Sequence, residues 1–113
     1  FAKKSNSSNI SDKLWVSKVH SYTHNTDHNV IVSKSYLGPE DRVLIIDDFL
    51  ANGCALKGLI EIVKSSGAVL EGTGIVIEKG FQHGGDMLRE QGIRVESLAI
   101  IDSMSDDSLT FRE

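Results

Sequence analysis

The chain has 113 residues, of which 25% are charged and 40% hydrophobic, and its formal net charge is −4. This length predicts a single domain, and the composition is close to that of an average soluble protein, so neither a disordered chain nor a fibre is expected. No apolar run approaches the roughly 20 residues of a membrane span. The acidic balance disfavours a nucleic-acid-binding module. A lone cysteine cannot form an internal disulfide, which predicts a reducing, cytoplasmic location.

The first 39 residues form a basic segment, and their pattern predicts mainly strands. They carry five Lys against two Asp, whereas residues 40–113 carry seven basic and 14 acidic side chains. The Ser/Asn-rich composition within residues 5–13 predicts a mobile loop, because it offers little apolar surface to bury. Apolar runs on both sides of a turn cluster at 25–29 predict a hairpin over residues 14–33. Since Phe1 already resembles strand interior, we expect that an amino-terminal portion is missing.

Residues 43–103 predict an α/β core. Apolar runs at 43–46, 75–77 and 95–101 are typical of strands covered on both faces, as in a parallel sheet. Helical spacing between 56 and 63 ends at Gly67, and a short helix at 86–91 ends at Gly92. This order predicts a mostly parallel central sheet flanked by helices, with right-handed crossovers. Residues 109–111 are expected to add an edge strand.

The most informative segment runs from Val43 to Ala55 and reads VLIIDDFLANGCA. Small residues around Gly53 let backbone N–H groups approach a ligand closely, and the first amides of a following helix lack intrahelical partners. Together these features predict a site for a phosphate monoester beyond the carboxyl end of a strand. Asp47 and Asp48 would repel that phosphate, and sugar hydroxyls or a hydrated Mg²⁺ would account for them. The segment therefore predicts a ribose 5-phosphate site.

With these residues, the chain resembles the type I phosphoribosyltransferases, whose signature is an apolar strand, two acids and a small-residue loop. The likeness is strongest to the bacterial xanthine-specific branch of that family. It continues through residues 74–82 and 94–99 and, more weakly, through Phe1 to Lys4 and residues 19–23. The whole chain would then be the carboxyl-terminal portion of one phosphoribosyltransferase domain, with a flexible hood loop and a hairpin.

The resemblance implies transfer of ribose 5-phosphate from phosphoribosyl pyrophosphate to a 6-oxopurine in purine salvage, with release of pyrophosphate and with Mg²⁺ as cofactor. It implies that Asp47 and Asp48 hold the ribose hydroxyls, directly or through water on Mg²⁺. Lys79 would contact the base and Phe81 would lie against its ring. The residues that would contact the donor's phosphates are Ala51, Asn52, Gly53, Cys54 and Ala55 for the 5-phosphate, and Lys3 and Lys4 for pyrophosphate. The family also implies a homodimer.

Two departures and three open alternatives accompany this interpretation. Ala51 stands where hypoxanthine-guanine relatives carry an acid, so the general base is not identified. Ala51 and Ala55 also stand in the phosphate loop, where many relatives carry threonine hydroxyls. Cys54 is either a small loop residue or an oxidant-sensitive thiol. His20, His24 and His28 are spaced by four, which on a helix would suit zinc, but the strand-like and polar surroundings favour surface histidines. Functionally, the alternatives to an enzyme are a non-catalytic regulator that senses phosphoribosyl pyrophosphate and an inactive fragment.

Overall fold

The computed structural model describes residues 1–5, 12–21 and 25–112. Within these ranges the chain forms seven strands, two α-helices and a 3₁₀ turn at Gly80–Gln82. The elements are β1 (Lys3–Ser5), β2 (Leu14–Ser21), β3 (Thr26–Ser33), β4 (Arg42–Leu50), α1 (Cys54–Ser66), β5 (Val69–Lys79), α2 (Gly84–Glu90), β6 (Val95–Met104) and β7 (Leu109–Phe111). The chain divides into two compact units, Phe1–Val43 with Cys54–Leu70 and Leu44–Gly53 with Glu71–Glu113.

The first unit packs α1 on a three-stranded antiparallel sheet of order β1-β3-β2. Val19, Val30 and Ile62 form its core, because alternate residues of the strands and one face of the helix bury their apolar side chains together. The helix approaches the sheet closely at Gly58, where a Cβ atom would lie 2.5 Å from Cγ2 of Val19. Gly67, with φ +79°, ends the helix in the left-handed conformation that glycine adopts without steric cost.

The hairpin predicted at 14–33 is formed by β2 and β3, which pair in antiparallel register from Leu14 opposite Ser33 to Ser21 opposite Thr26. The turn cluster predicted at 25–29 was placed too broadly, since β3 begins at Thr26. Pairing with β2, and at Asn29 also with β1, outweighs the turn preference of these polar residues. The loop predicted at 5–13 falls mainly on residues 6–11, which lie outside the described ranges.

The second unit holds a four-stranded sheet of order β4-β5-β6-β7. Strand β5 runs parallel to β6, which confirms the predicted α/β arrangement, and β7 is the expected edge strand, antiparallel to β6. Ile45, Ile75, Val95 and Ile101 are buried on these strands. None of the helices in the described ranges is long and apolar enough to span a bilayer.

The prediction that the apolar strands are covered on both faces is wrong for the described part of the chain. Leu44 is 61% exposed, Ile46 is 67% exposed and Leu98 is 86% exposed, whereas Ile45 is buried. A Cβ atom on Gly74 would lie 2.9 Å from Cδ1 of Ile46, which places β5 beside β4 on the exposed face. Along β4 and β6, exposed residues alternate with buried or half-buried ones, as expected of strands with one exposed face.

Candidate functional site

Two neighbouring carboxylates lie near the carboxyl end of β4. The strand continues four residues beyond the predicted 43–46, so Asp47 and Asp48 are strand residues. Oδ1 of Asp47 accepts a hydrogen bond from the N–H of Asp48 (2.9 Å), and Oδ1 of Asp48 accepts one from the N–H of Phe49 (2.8 Å). The Phe49 hydrogen bond is the main cause that lowers the pKa of Asp48, followed by the side chain of Asp47. The exposed Asp48 is therefore ionised at neutral pH.

The predicted phosphate-binding residues follow β4 directly. Ala51 and Asn52 are half-buried, Gly53 is buried with φ +89°, and Cys54 and Ala55 are the first two residues of α1. A left-handed φ at Gly53 turns the chain from the strand into the helix, a conformation that a residue with a Cβ atom rarely adopts. Cys54 is half-buried against the apolar core of the first unit, as expected of a small packing residue.

The backbone of α2 packs against this loop. The N–H of Gly84 donates to the carbonyl oxygen of Ala51 (3.1 Å). A Cβ atom on Gly84 would lie 2.4 Å from that oxygen, 2.6 Å from the carbonyl carbon of Asn52 and 2.7 Å from the nitrogen of Gly53. Because all three neighbours are backbone atoms, only glycine fits at position 84 without displacing the loop.

The predicted base contacts lie at the end of β5. Lys79 is the last residue of the strand and is half-buried, and Phe81, which is partly exposed, belongs to the 3₁₀ turn that follows. Nζ of Lys79 lies 5.9 Å from the centre of the Phe49 ring, at the outer limit of a cation–π contact. Lys79 thus lies near Phe49, the residue that follows the two carboxylates. This is expected because β4 and β5 are neighbouring strands of one sheet.

A buried ion pair lies directly before Lys79. Glu78 is only 1% exposed, and its carboxylate accepts two hydrogen bonds from Arg89 (2.9 and 2.7 Å) and one from Oγ of Ser97 (2.6 Å). Burial is the largest influence and raises the pKa of Glu78, but the donors from Arg89 and Ser97 together outweigh it, so the pKa is lowered. The same contact raises the pKa of Arg89. The pair is therefore charged at neutral pH.

Sequence reasoning missed this pair. The sequence alone assigns no role to Arg89, whose guanidinium binds Glu78 in a bidentate arrangement. One signal was available: an acid directly after the apolar run 75–77 points to a buried charge that needs a partner. Phe49 lies within the segment from Val43 to Ala55, but the sequence alone assigns no role to it.

The remaining predicted site residues lie elsewhere. Lys3 and Lys4 are exposed on β1 of the first unit, opposite Ile31 and Val30. Among the described residues, no group of three or more His, Cys, Asp or Glu side chains is placed to hold a metal ion. His20 is partly exposed, and its Nδ1 lies 2.7 Å from Oδ1 of Asp27.

His28 is less exposed than expected: its Nε2 is buried and has no hydrogen-bond partner in the described part of the chain. His24 lies outside the described residues.

Known proteins resemble the chain over almost its whole length. It is 61% identical over 114 residues to a xanthine phosphoribosyltransferase of Lachnoclostridium phytofermentans, a match that covers 99% of this chain and 59% of that relative. It is 53% identical over 113 residues to the xanthine phosphoribosyltransferase of Oceanobacillus iheyensis, covering 100% of this chain and 58% of that relative. The resemblance to the phosphoribosyltransferase family is confirmed. The chain spans somewhat more than half the length of these curated relatives. No protein-family model matches it.

Solved structures support the same fold. The adenine phosphoribosyltransferase of Trypanosoma brucei, solved in complex with AMP, pyrophosphate and ribose-5-phosphate, superposes on the chain with a TM-score of 0.75. The match covers 94% of this chain and 47% of that one at 19% sequence identity. The predicted phosphoribosyltransferase-like α/β fold is thereby confirmed.

Proposed function

We propose that the chain is the donor-binding part of a purine phosphoribosyltransferase of the xanthine type. In this reaction a purine nitrogen forms a bond to C1 of the ribose as the bond from C1 to pyrophosphate breaks, and the base loses a proton. The observation that carries the proposal is the loop after β4, where two carboxylates precede a glycine-dependent turn into a helix. The identity of 53–61% to xanthine phosphoribosyltransferases supports the choice of substrate.

The 5-phosphate is assigned to five consecutive residues between β4 and the first turn of α1, which are Ala51, Asn52, Gly53, Cys54 and Ala55. Backbone N–H groups of the turn and of the first turn of α1 carry the partial positive charge of a helix amino-terminus, which favours an anion. The loop has no threonine hydroxyl, so these amides and the side chain of Asn52 are the groups available to bind the phosphate.

The ribose is assigned to Asp47 and Asp48. The lowered pKa of Asp48 keeps its carboxylate ionised, and an ionised carboxylate accepts hydrogen bonds from ribose hydroxyls or from metal-bound water. The carboxylate oxygens of these two residues are therefore suited to Mg²⁺ bound through water. Mg²⁺ with the donor would supply positive charge to the leaving pyrophosphate. The two carboxylates would favour the positive charge that develops on the ribose as the C1 bond breaks.

The base is assigned to Lys79 and Phe81 at the end of β5. The ammonium of Lys79 is a hydrogen-bond donor suited to the oxo group of a 6-oxopurine, and the ring of Phe81 offers a surface for stacking. The proximity of Lys79 to Phe49 supports this assignment, because base and ribose must be held side by side for the bond to form.

Lys3 and Lys4 are assigned to the pyrophosphate, since two exposed ammonium groups on one short strand can neutralise its charge. The proposal includes a homodimer in the cytoplasm, with the family resemblance supporting the first and the lone Cys54 the second.

Calorimetric titration with Mg²⁺ and phosphoribosyl pyrophosphate tests the assignment of the two acids. The double variant Asp47→Asn with Asp48→Asn should weaken binding by about 100-fold, because two charge-assisted contacts to the donor are lost. Asp106→Asn with Asp107→Asn is a matched control, since it removes another exposed pair of adjacent acids from the same unit. Equal donor affinity in both double variants would refute the assignment.

Turnover with xanthine, guanine, hypoxanthine and adenine then tests the reaction. We expect product from xanthine and the strongest dependence on Lys79, whose replacement by Met should raise the KM for the base. Donor binding without turnover of any base would contradict catalysis and favour the alternative of a phosphoribosyl-pyrophosphate sensor.

A further inference from the structure

The ion pair of Glu78 and Arg89 joins β5 to α2 in the second unit. Glu78 precedes the predicted base contact Lys79, and Arg89 lies near the end of α2. The guanidinium also donates to the carbonyl oxygen of Val95 (3.2 Å), at the start of β6. One side chain therefore joins β5, α2 and the start of β6.

The amino-terminus of α2 contacts both the buried Glu78 and the loop after β4 through two consecutive glycines. A Cβ atom on Gly85 would lie 2.2 Å from Oε2 of Glu78, so the helix backbone rests directly on the buried carboxylate. The preceding Gly84 makes backbone contacts with Ala51, Asn52 and Gly53 and donates its N–H to the first of them. A displacement of the Glu78 carboxylate by even a fraction of an ångström must move α2 and, with it, the loop.

We propose that Glu78 and Arg89 are positioning residues for the phosphate loop. They contact none of the groups assigned to ligand binding in the loop and act on it through Gly85 and Gly84. The pair fixes the distance between α2 and β5. In turn, α2 fixes the backbone of Ala51 to Gly53, whose amides must point toward the ligand. This inference rests on the proposed function for the identity of the ligand. The contacts of Gly85 with Glu78 and of Gly84 with the loop do not depend on that function.

Arg89→Lys is the first test variant, because it keeps the positive charge but cannot form both hydrogen bonds of the guanidinium. Gly85→Ala is the second, because its methyl group would displace the carboxylate while leaving both charges in place. Arg94→Lys is the matched control, since Arg94 pairs with Glu96 (3.3 Å) on the surface and is 74% exposed.

Amide hydrogen exchange tests the contact without any ligand. We expect the Gly84 amide, which bonds the loop, to exchange about tenfold faster in Arg89→Lys and Gly85→Ala than in the wild type and in Arg94→Lys, the order expected for one weakened charge-assisted hydrogen bond. Amides of the first unit, such as those of β2, should be unchanged. Unchanged exchange at Gly84 in both folded test variants would overturn the proposal.

Titration with ribose 5-phosphate separates positioning from loss of folded protein. In a fully folded variant, a misaligned loop lowers the affinity, about tenfold by the same reasoning, and leaves the stoichiometry unchanged, whereas an irreversibly misfolded fraction lowers the stoichiometry and leaves the affinity unchanged. Reversible unfolding would also lower the apparent affinity, so the titration uses only variants that urea unfolding shows to be almost entirely folded. Reduced stoichiometry with wild-type affinity would contradict a positioning role. If the wild-type chain binds no ribose 5-phosphate, the proposed function fails, and the exchange experiment alone decides this inference.

Discussion

The segments that follow β4 and β5 lie at neighbouring positions in one unit but are held in place by different interactions. The loop after β4 is held by backbone packing, with Gly84 pressed against Ala51 to Gly53. Near the end of β5, the carboxylate of Glu78 is held by its bidentate ion pair with Arg89. The loop after β4 should therefore respond directly to added volume at Gly84, whereas removal of the charge on Arg89 acts first on Glu78 and reaches the loop only through α2. Variants that add volume beside the loop, and variants that remove charge from the ion pair, test this contrast.

The largest effect is expected from Arg89→Leu. It leaves the Glu78 carboxylate buried without its cation, and removing one partner of a buried pair typically costs about 3–5 kcal/mol of unfolding free energy. Urea unfolding of wild type and variant measures the loss. Replacing both residues, Glu78→Leu with Arg89→Leu, should recover part of it because no buried charge remains. A loss below about 1 kcal/mol in the single variant would place this pair among ordinary surface pairs.

Gly84→Ala should have the next largest effect. Its methyl group would lie less than 3.0 Å from three backbone atoms of the loop, so we expect a cost of about 1–3 kcal/mol from overpacking. Gly38→Ala is the matched control, since a Cβ atom there has no neighbour within 4 Å. Equal unfolding free energies for the two variants would show that the loop does not depend on close packing by α2.

The buried carboxylate predicts a pH dependence. Because the pKa of Glu78 is lowered from its ordinary value of 4.5, the unfolded state binds more protons as the pH falls through this value. Stability from this group is present above about pH 4.5 and is lost as the pH falls through the lower pKa of the folded state. Glu78→Gln should flatten the acid side of the stability profile. A profile that keeps its wild-type slope would assign that slope to other carboxylates.

The smallest effect is expected from Arg94→Ala. Its pair with Glu96 is exposed on both sides, and such pairs contribute about 0–1 kcal/mol. Urea unfolding should give a change within about 0.5 kcal/mol. A loss as large as that of Arg89→Leu would mean that exposure does not distinguish the two pairs.

The sequence predicts the kinds of element well because their patterns are local. The runs at 43–46, 75–77 and 95–101 all lie in strands, and Gly67 and Gly92 have the positive φ expected after helices. Boundaries are less predictable, because β3 takes up residues that favour turns and β4 extends through Asp47 and Asp48. Strand pairing decides these ends, and it depends on residues far away in the chain.

The site is predictable only where one continuous segment builds it. The residues from Asp47 to Ala55 form the expected strand, turn and helix start. The pairing of Glu78 with Arg89 joins a strand to a helix surface, and no local pattern shows that this arginine turns inward. Contacts of Gly84 are equally hidden, since its sequence neighbours indicate only a helix beginning.

The central claim is that the turn from β4 into α1 binds the terminal phosphate of a phosphoribosyl group. Nuclear magnetic resonance of the isotope-labelled chain during titration with ribose 5-phosphate tests it most directly. The account predicts that the amide signals of Asn52, Gly53 and Cys54 shift most and saturate together. Saturable shifts confined to other residues, with these three signals unmoved, would contradict it.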